Sequence, residues 1–227
     1  KITAILILVA VIMSTIMTTV IGQSIGILQS MRIQQAAGLN GNRYATFHQL
    51  GKEQAQKLHE DDRLYDVGDT IFIGSTPLGN SSLSLYLREY HDNALSMYPA
   101  IGNVKEGRLP EEAIEIALSE DALQYLGLDA VIGDTVSLDL SVSVMDGSLS
   151  ELEYSADFVL TGILESSYIG YASGTVEGIV GEGTAEELLP EEYLLYSTDF
   201  KTYDKQNFQS IIYALAEDLN VDERYIQ

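Results

Sequence analysis

Thirty consecutive residues, Ile2 to Met31, carry no charged side chain, and Ile2 to Ile21 among them is dense in Ile, Leu, Val and Met. At about 1.5 Å per residue a helix of this length covers roughly 30 Å of bilayer hydrocarbon. A helix also satisfies its own N–H and C=O groups where no water can. The segment therefore predicts a membrane span. A cleaved signal peptide would have a shorter apolar run followed by an A-x-A site, and no such site is present. Lys1 on one side and an acidic domain on the other orient the span with its N-terminus inside the cell. The absence of Met at position 1 is expected of a fragment whose cytoplasmic start has been trimmed.

Gly22-Gln23-Ser24-Ile25-Gly26 reads as G-x-S-x-G. In a hydrolase that pattern stands on a turn between a strand and a helix, which exposes the Ser hydroxyl. Here a helix precedes it, so Ser24 is not expected to be a nucleophile. Fourfold spacing accounts for the glycines better: Ala10, Ser14, Thr18, Gly22, Gly26 and Ser30 place small side chains along one stripe, where a second helix can approach closely. Coincidence is the rival account, since small residues are common in spans. A pilin-type helix would want an acid near the fifth position, which is Ile5. Beyond the bilayer, Ile25, Leu28, Met31 and Gln35 keep helical spacing until Gly38 can cap the helix, leaving a stalk on the order of 20 Å long.

Charge is confined to the rest of the chain. Of the 227 residues, 46% are hydrophobic, enough for a real core beyond the span. All 34 acidic residues lie after residue 32, against 10 basic ones, so that part carries a net charge of −24. Such a surface repels phosphate backbones and anionic headgroups, which excludes nucleic acid as an expected partner and suits a domain outside the cell. The absence of cysteine rules out disulfides, thiolate metal sites and cysteine nucleophiles.

The outer part reads as mixed α and β. Asn42 to Leu50 has strand composition, Gly51 to Asp61 helix formers, and Asp69 to Ile73 strand character. A loop is expected at 75 to 82 and a helix at Leu83 to Met97. Glu115 to Leu118 alternates, Ser119 can cap a helix whose first turn holds Glu120 and Asp121, and Gly127 can close it. Val136, Leu138, Leu140, Val142 and Val144 mark a half-buried strand, Asp146-Gly147 a turn, and Ala156 to Leu164 the return strand. A last strand near Glu191 to Phe200 precedes an amphipathic helix carrying Phe208, Ile211, Ile212 and Leu215.

Chemical motifs are sparse. Glu111, Glu112, Glu115, Glu120 and Asp121 fit a turn, an exposed strand face and a helix N-terminus better than an acid-base or metal site. His48, His59 and His91 lack ligand spacing. Asp218 to Glu223 starts like a calcium loop but has Glu223 where Gly is required. Gly178 to Glu187 is glycine-rich without the Lys of a phosphate loop, so it is expected to be a flexible surface loop. No catalytic residue, cofactor or metal site is expected.

One phrase is more specific. Gly107-Arg108-Leu109-Pro110, then Glu115-Ile116, Leu126-Gly127 and Gly133-Asp134 follow one another as G-R-x-P, E-I, L-G and G-D. With the preceding span and stalk, the chain resembles the first transmembrane helix and extracytoplasmic domain of FtsX-like, MacB-like ABC transporter permeases. Many Gram-positive relatives have a Tyr-His pair after the early Gly, whereas Gly41 here is followed by Asn42, Arg43 and Tyr44.

The resemblance implies an α+β fold, a mixed α/β base with an inserted small β-rich subdomain. Residues 1–31 would be the helix and start of the stalk, 32–97 the first part of the base, 98–190 the insertion, and 191–227 the return of the base. It also implies a multi-pass, non-catalytic permease, a homo- or heterodimer served by a separate ATP-binding subunit, with further spans after Gln227 and peptides or lipoproteins as possible cargo. The competing class is a membrane-anchored extracellular sensor of a signalling receptor, for which one span followed by a kinase would speak.

Overall fold

The computed structural model describes residues 11–13, 15, 17, 41–146, 148–166 and 174–227. The chain divides into two compact units, 1–40 and 41–227. In the first, Val11, Ile12, Met13, Thr15 and Met17 are helical and exposed. Among the described residues no helix is long and apolar enough to cross a membrane; apart from these five residues, the expected span and stalk lie outside the described residues.

The second unit is built on one nine-stranded mixed sheet. Its strands are β1 (Ala45–Leu50), β2 (Leu64–Pro77), β3 (Ser84–Tyr90), β4 (Val104–Gly107), β5 (Glu115–Ser119), β6 (Thr135–Asp146), β7 (Ser148–Leu164), β8 (Thr175–Val180) and β9 (Tyr196–Thr202). The spatial order is β1-β9-β2-β3-β8-β5-β7-β4, with β6 bridging β7 and β2. Pairing is antiparallel except for β3 with β8 and β5 with β7. The α-helices are α1 (Lys52–His59), α2 (Glu120–Leu126), α3 (Thr184–Leu188) and α4 (Phe208–Asp218).

Because β6 pairs along β7 and also meets β2 at Ser141↔Ser75, the strands β2-β3-β8-β5-β7-β6 close into a ring. Period-two alternation sends one side chain in two into that ring: Ile71, Ile73, Leu85, Leu87, Ile116, Leu118, Val136, Leu138, Leu140, Phe158 and Leu160 are all buried there. Closure leaves few bare edges, and burial of each large side chain contributes about 1.5–3 kcal/mol.

A second core forms where α1 and α4 contribute to the β1-β9-β2 end of the sheet. Ala45, Phe47, Leu50, Leu58, Leu64, Phe200, Ile212 and Leu215 fill it, and the rings of Phe47 and Phe200 meet edge to face at 5.1 Å. Strand β2 serves both cores. Its first residue, Leu64, belongs to this one, and Ile71 and Ile73 point into the ring.

Local chemistry sets the helix limits. Ser119 Oγ accepts a hydrogen bond from the Ala122 amide and Gly127 closes α2 at φ 72°, as the sequence leads one to expect. The segment Leu83 to Met97 is not the expected helix. Ser84–Tyr90 is strand β3, whose alternation buries Leu85, Leu87 and Glu89, and only Leu95–Met97 makes a short 3-10 turn. The β2 strand also runs further than expected, through Pro77. Gly178 to Glu187 is no flexible loop: it completes β8 and forms α3, with Thr184 and Ala185 buried.

Candidate functional site

Two polar clusters stand out against the apolar cores. The first gathers where the chain enters the domain. Asn42 and Tyr44 donate backbone hydrogen bonds to Met97 and Phe200 carbonyls, at 2.6 and 3.0 Å, fixing the segment before β1. Arg43 is thereby turned inward. Its Nε lies 3.0 Å from Asp199 Oδ1, on β9, and its guanidinium stacks over the Tyr98 ring at 5.5 Å. Thr46 Oγ1 donates to Asp199 Oδ1, and Tyr98 OH donates to Oδ2 at 2.7 Å. Burial raises the Asp199 carboxyl above its ordinary pKa, against the pull of these donors and of Arg43.

The end of the described chain lies on the same cluster. Thr46 and Gln227 exchange backbone hydrogen bonds at 3.0 Å, Ile226 bridges Phe47, and Arg43 Nη2 donates to Gln227 Oε1 at 3.0 Å. His48 Nδ1 meets Ser197 Oγ at 3.0 Å, and its Nε2 faces Gln227 Oε1 at 3.3 Å. Burial lowers the His48 pKa. A Ser–His pair invites comparison with a hydrolase; here an amide oxygen, that of Gln227, rather than a carboxylate sits on the second imidazole nitrogen. The junction ties residues 43–48 to residues 226–227.

The second cluster lies where α1, β2 and the end of β3 converge. His59 Nε2 contacts Asp69 Oδ2 at 2.9 Å and Asp92 Oδ2 at 3.9 Å, and Thr198 Oγ1 donates to Asp69 Oδ1 at 2.6 Å. Gly68 makes this convergence possible: a Cβ there would stand 2.2 Å from the Ala94 nitrogen, so the turn carrying Asp92 packs directly on β2. His91 N donates to the Asp69 carbonyl at 2.9 Å. Beside it, buried Glu89 accepts from the Gly183 and Ala185 amides at 2.9 and 2.6 Å, and its Oε1 lies 2.7 Å from His91 Nε2. Burial pushes the Glu89 carboxyl up, but His91 and the two amides outweigh it and hold it below its ordinary value. Asp69 raises the His59 pKa, and Glu89 that of His91.

The acids considered in the sequence are accounted for by structure. Glu115 is not on a solvated face: it takes a bidentate pair from Arg108 and accepts from the Glu111 and Glu112 amides at 2.9 and 3.2 Å, which draws its pKa down to about 2. Glu111 and Glu112 are exposed. Lys105 pairs with Glu120, and Ser166 Oγ donates to Asp121 Oδ2 at 2.6 Å. In the calcium-like stretch, Asp218 pairs with Arg63 at 3.2 Å and Asp222 with Arg224 at 2.8 Å. The stripe Ala10, Ser14, Thr18, Gly22, Gly26 and Ser30, and Ser24 with it, lie outside the described residues.

Sequence reasoning missed both clusters. Their members are polar residues spaced irregularly along the chain: the pairing Thr46↔Asp199 and the Thr46–Gln227 hydrogen bonds gather the first cluster, and the pairing Asp69↔Thr198 with the turn after β3 gathers the second.

No protein-family profile and no curated protein matches the sequence. The fold, however, is found in solved structures. The periplasmic region of MacB from Actinobacillus actinomycetemcomitans superposes with a TM-score of 0.50 at 15% identity, covering 82% of this chain and 86% of its own. The extracellular domain of the noncanonic ABC-type transporter YknZ from Gram-positive bacteria gives a TM-score of 0.50 at 12% identity, covering 82% of this chain and 98% of its own. The mixed α/β domain therefore shares the fold of these outer domains of ABC-type transporters.

Proposed function

We propose that the chain is the first membrane helix and extracytoplasmic domain of an ABC transporter permease, which couples cytoplasmic ATP hydrolysis to work outside the membrane. The observation that carries this reading is the fold shared with two transporter outer domains over 82% of the chain. The apolar residues 2–31 and the G-R-x-P to G-D phrase support it from the sequence. A permease of this kind has no ATPase of its own, so its partner is a separate ATP-binding subunit, and it works as a homo- or heterodimer. The work outside the membrane is substrate export, the handling of peptides or lipoproteins, or mechanotransmission.

The polar junction suits force transfer. Tyr44, just before β1, is hydrogen-bonded to Phe200 on β9, and Gln227 to Thr46 on β1, the strand paired with β9, so a displacement of either segment reaches the β1-β9-β2 end of the sheet. The base, with residues 98–190 as its inserted β-rich subdomain, would move as the membrane helices move. Co-purification of the full-length protein with a candidate ATP-binding subunit, followed by ATPase assay in lipid, tests the reading. Complex formation with ATPase activity that depends on the permease is expected. A chain that associates instead with a cytoplasmic kinase would establish the sensor class.

A further inference from the structure

We propose that His59, Asp69 and Asp92 form a binding site for a divalent first-row transition cation, with Zn2+ as the best fit. One nitrogen and two carboxylate oxygens converge from three separate elements, the last residue of α1, the middle of β2 and the turn after β3, and these donor atoms all lie within 4.8 Å of one another. Donors about 2.1 Å from a tetrahedral ion stand about 3.4 Å apart. The separations from His59 Nε2, 2.9 Å to Asp69 and 3.9 Å to Asp92, bracket that value, so small side-chain rotations suffice.

The surroundings are those of a ligand set. Asp69 is 7% exposed, and Thr198 Oγ1 occupies its Oδ1 at 2.6 Å, which holds the carboxylate with Oδ2 turned to the site. Asp92 is 60% exposed in its side chain, leaving an open side for water or a further ligand. The charge balance favours a cation as well. Among the described residues, the ion pairs of both aspartates run to His59 alone, with no Lys or Arg on either carboxylate. Two acids sharing one imidazole, in a domain of strongly negative net charge, are better compensated by a divalent ion than by a proton. An imidazole with carboxylates selects zinc-like ions over Mg2+, which prefers oxygen ligands and keeps its waters. This reverses the expectation of no metal drawn from histidine spacing, because folding supplies the proximity that the sequence does not display.

Isothermal titration of the full chain in detergent micelles with Zn2+, alongside thermal melts with and without the ion, tests the site. One tight Zn2+ per chain and a raised melting temperature are expected, with Mg2+ at the same concentration producing neither. Asp92→Asn and His59→Gln should each weaken Zn2+ by about tenfold or more and abolish the melting shift, as expected when a ligand is lost. His48→Gln should bind as the parent does. Asp92 is exposed, so its Asn variant folds and decides the matter even if His59→Gln does not. Absence of Zn2+ binding, or parental affinity in Asp92→Asn, would overturn the site and leave the cluster as a His–Asp ion pair on an acidic surface.

Discussion

Arg43 Nε and Asp199 Oδ1 lie 3.0 Å apart with side chains only 9% and 1% exposed, joining the segment that precedes the sheet to β9. A buried pair of this kind owes its importance to what is left when one partner goes, since the remaining charge has no water to stabilise it. Arg43→Met should therefore cost about 3–5 kcal/mol of unfolding free energy, read from urea midpoints. Arg43→Met with Asp199→Asn together should recover a large part of that loss. A loss below about 1 kcal/mol in the single variant would show that the pair contributes little to holding the junction.

Glu115 and Asp199 should respond to pH with opposite sign. Arg108 and two amides hold the Glu115 pKa near 2, below its ordinary 4.5, so its stabilisation is complete above about pH 4.5 and is lost as pH falls toward 2. Burial holds the folded-state pKa of Asp199 above its ordinary 3.8, so its contribution is greatest below that value and declines as pH rises through the raised one. Urea midpoints measured across an acid series should accordingly fall less steeply between pH 4.5 and 2 in Glu115→Gln than in the parent. The Asp199→Asn variant should flatten the profile on the higher side of pH 3.8. Identical profiles in parent and Glu115→Gln would remove Glu115 from the acid response.

The ring of strands provides a contrast between interior and surface. Leu138 and Leu140 are 4% and 2% exposed, within the closed core, and truncation of either to Ala should cost about 2–5 kcal/mol. Glu111→Gln and Glu112→Gln, on an exposed turn, should change stability by no more than about 0.5 kcal/mol. Equal costs for the two pairs, measured by urea unfolding, would contradict the inward register of β6.

Which parts of this architecture the sequence displays follows from where the information lies. The Ser119 cap, the Gly127 stop and the alternation Val136 to Val142 are local, so a few neighbouring residues determine each. β3 misleads because Tyr86, Arg88 and Tyr90 on its outward face are acceptable helix residues, and the inward position of Leu85 and Leu87 is decided by β2 and β8 on either side. Gly178 to Glu187 misleads for the same reason: Glu89, on a distant strand, caps the turn that makes α3. His59, Asp69 and Asp92 are invisible to spacing rules because three elements supply one residue each.

The stripe Ala10, Ser14, Thr18, Gly22, Gly26 and Ser30 leads to the most functional of the tests. If these small side chains let a second helix approach closely, a large one should force the helices apart, because lipid offers little hydrophobic drive to bring them back. Gly22→Leu and Gly26→Leu should therefore uncouple the outer domain from ATP hydrolysis in the assembled transporter. Both glycines precede the 41–227 unit, so its two cores should remain intact and as resistant to proteolysis as in the parent. Bulk itself is controlled by Leu at Ile21 or Ile25, which point to other sides of a helix and should leave coupling unchanged. The measurement is permease-dependent ATPase activity in membranes, with proteolysis of the outer domain alongside. Coupling lost in the Gly variants and kept in the Ile variants places a helix contact on the stripe, whereas parental coupling in both Gly variants reduces the fourfold spacing to coincidence.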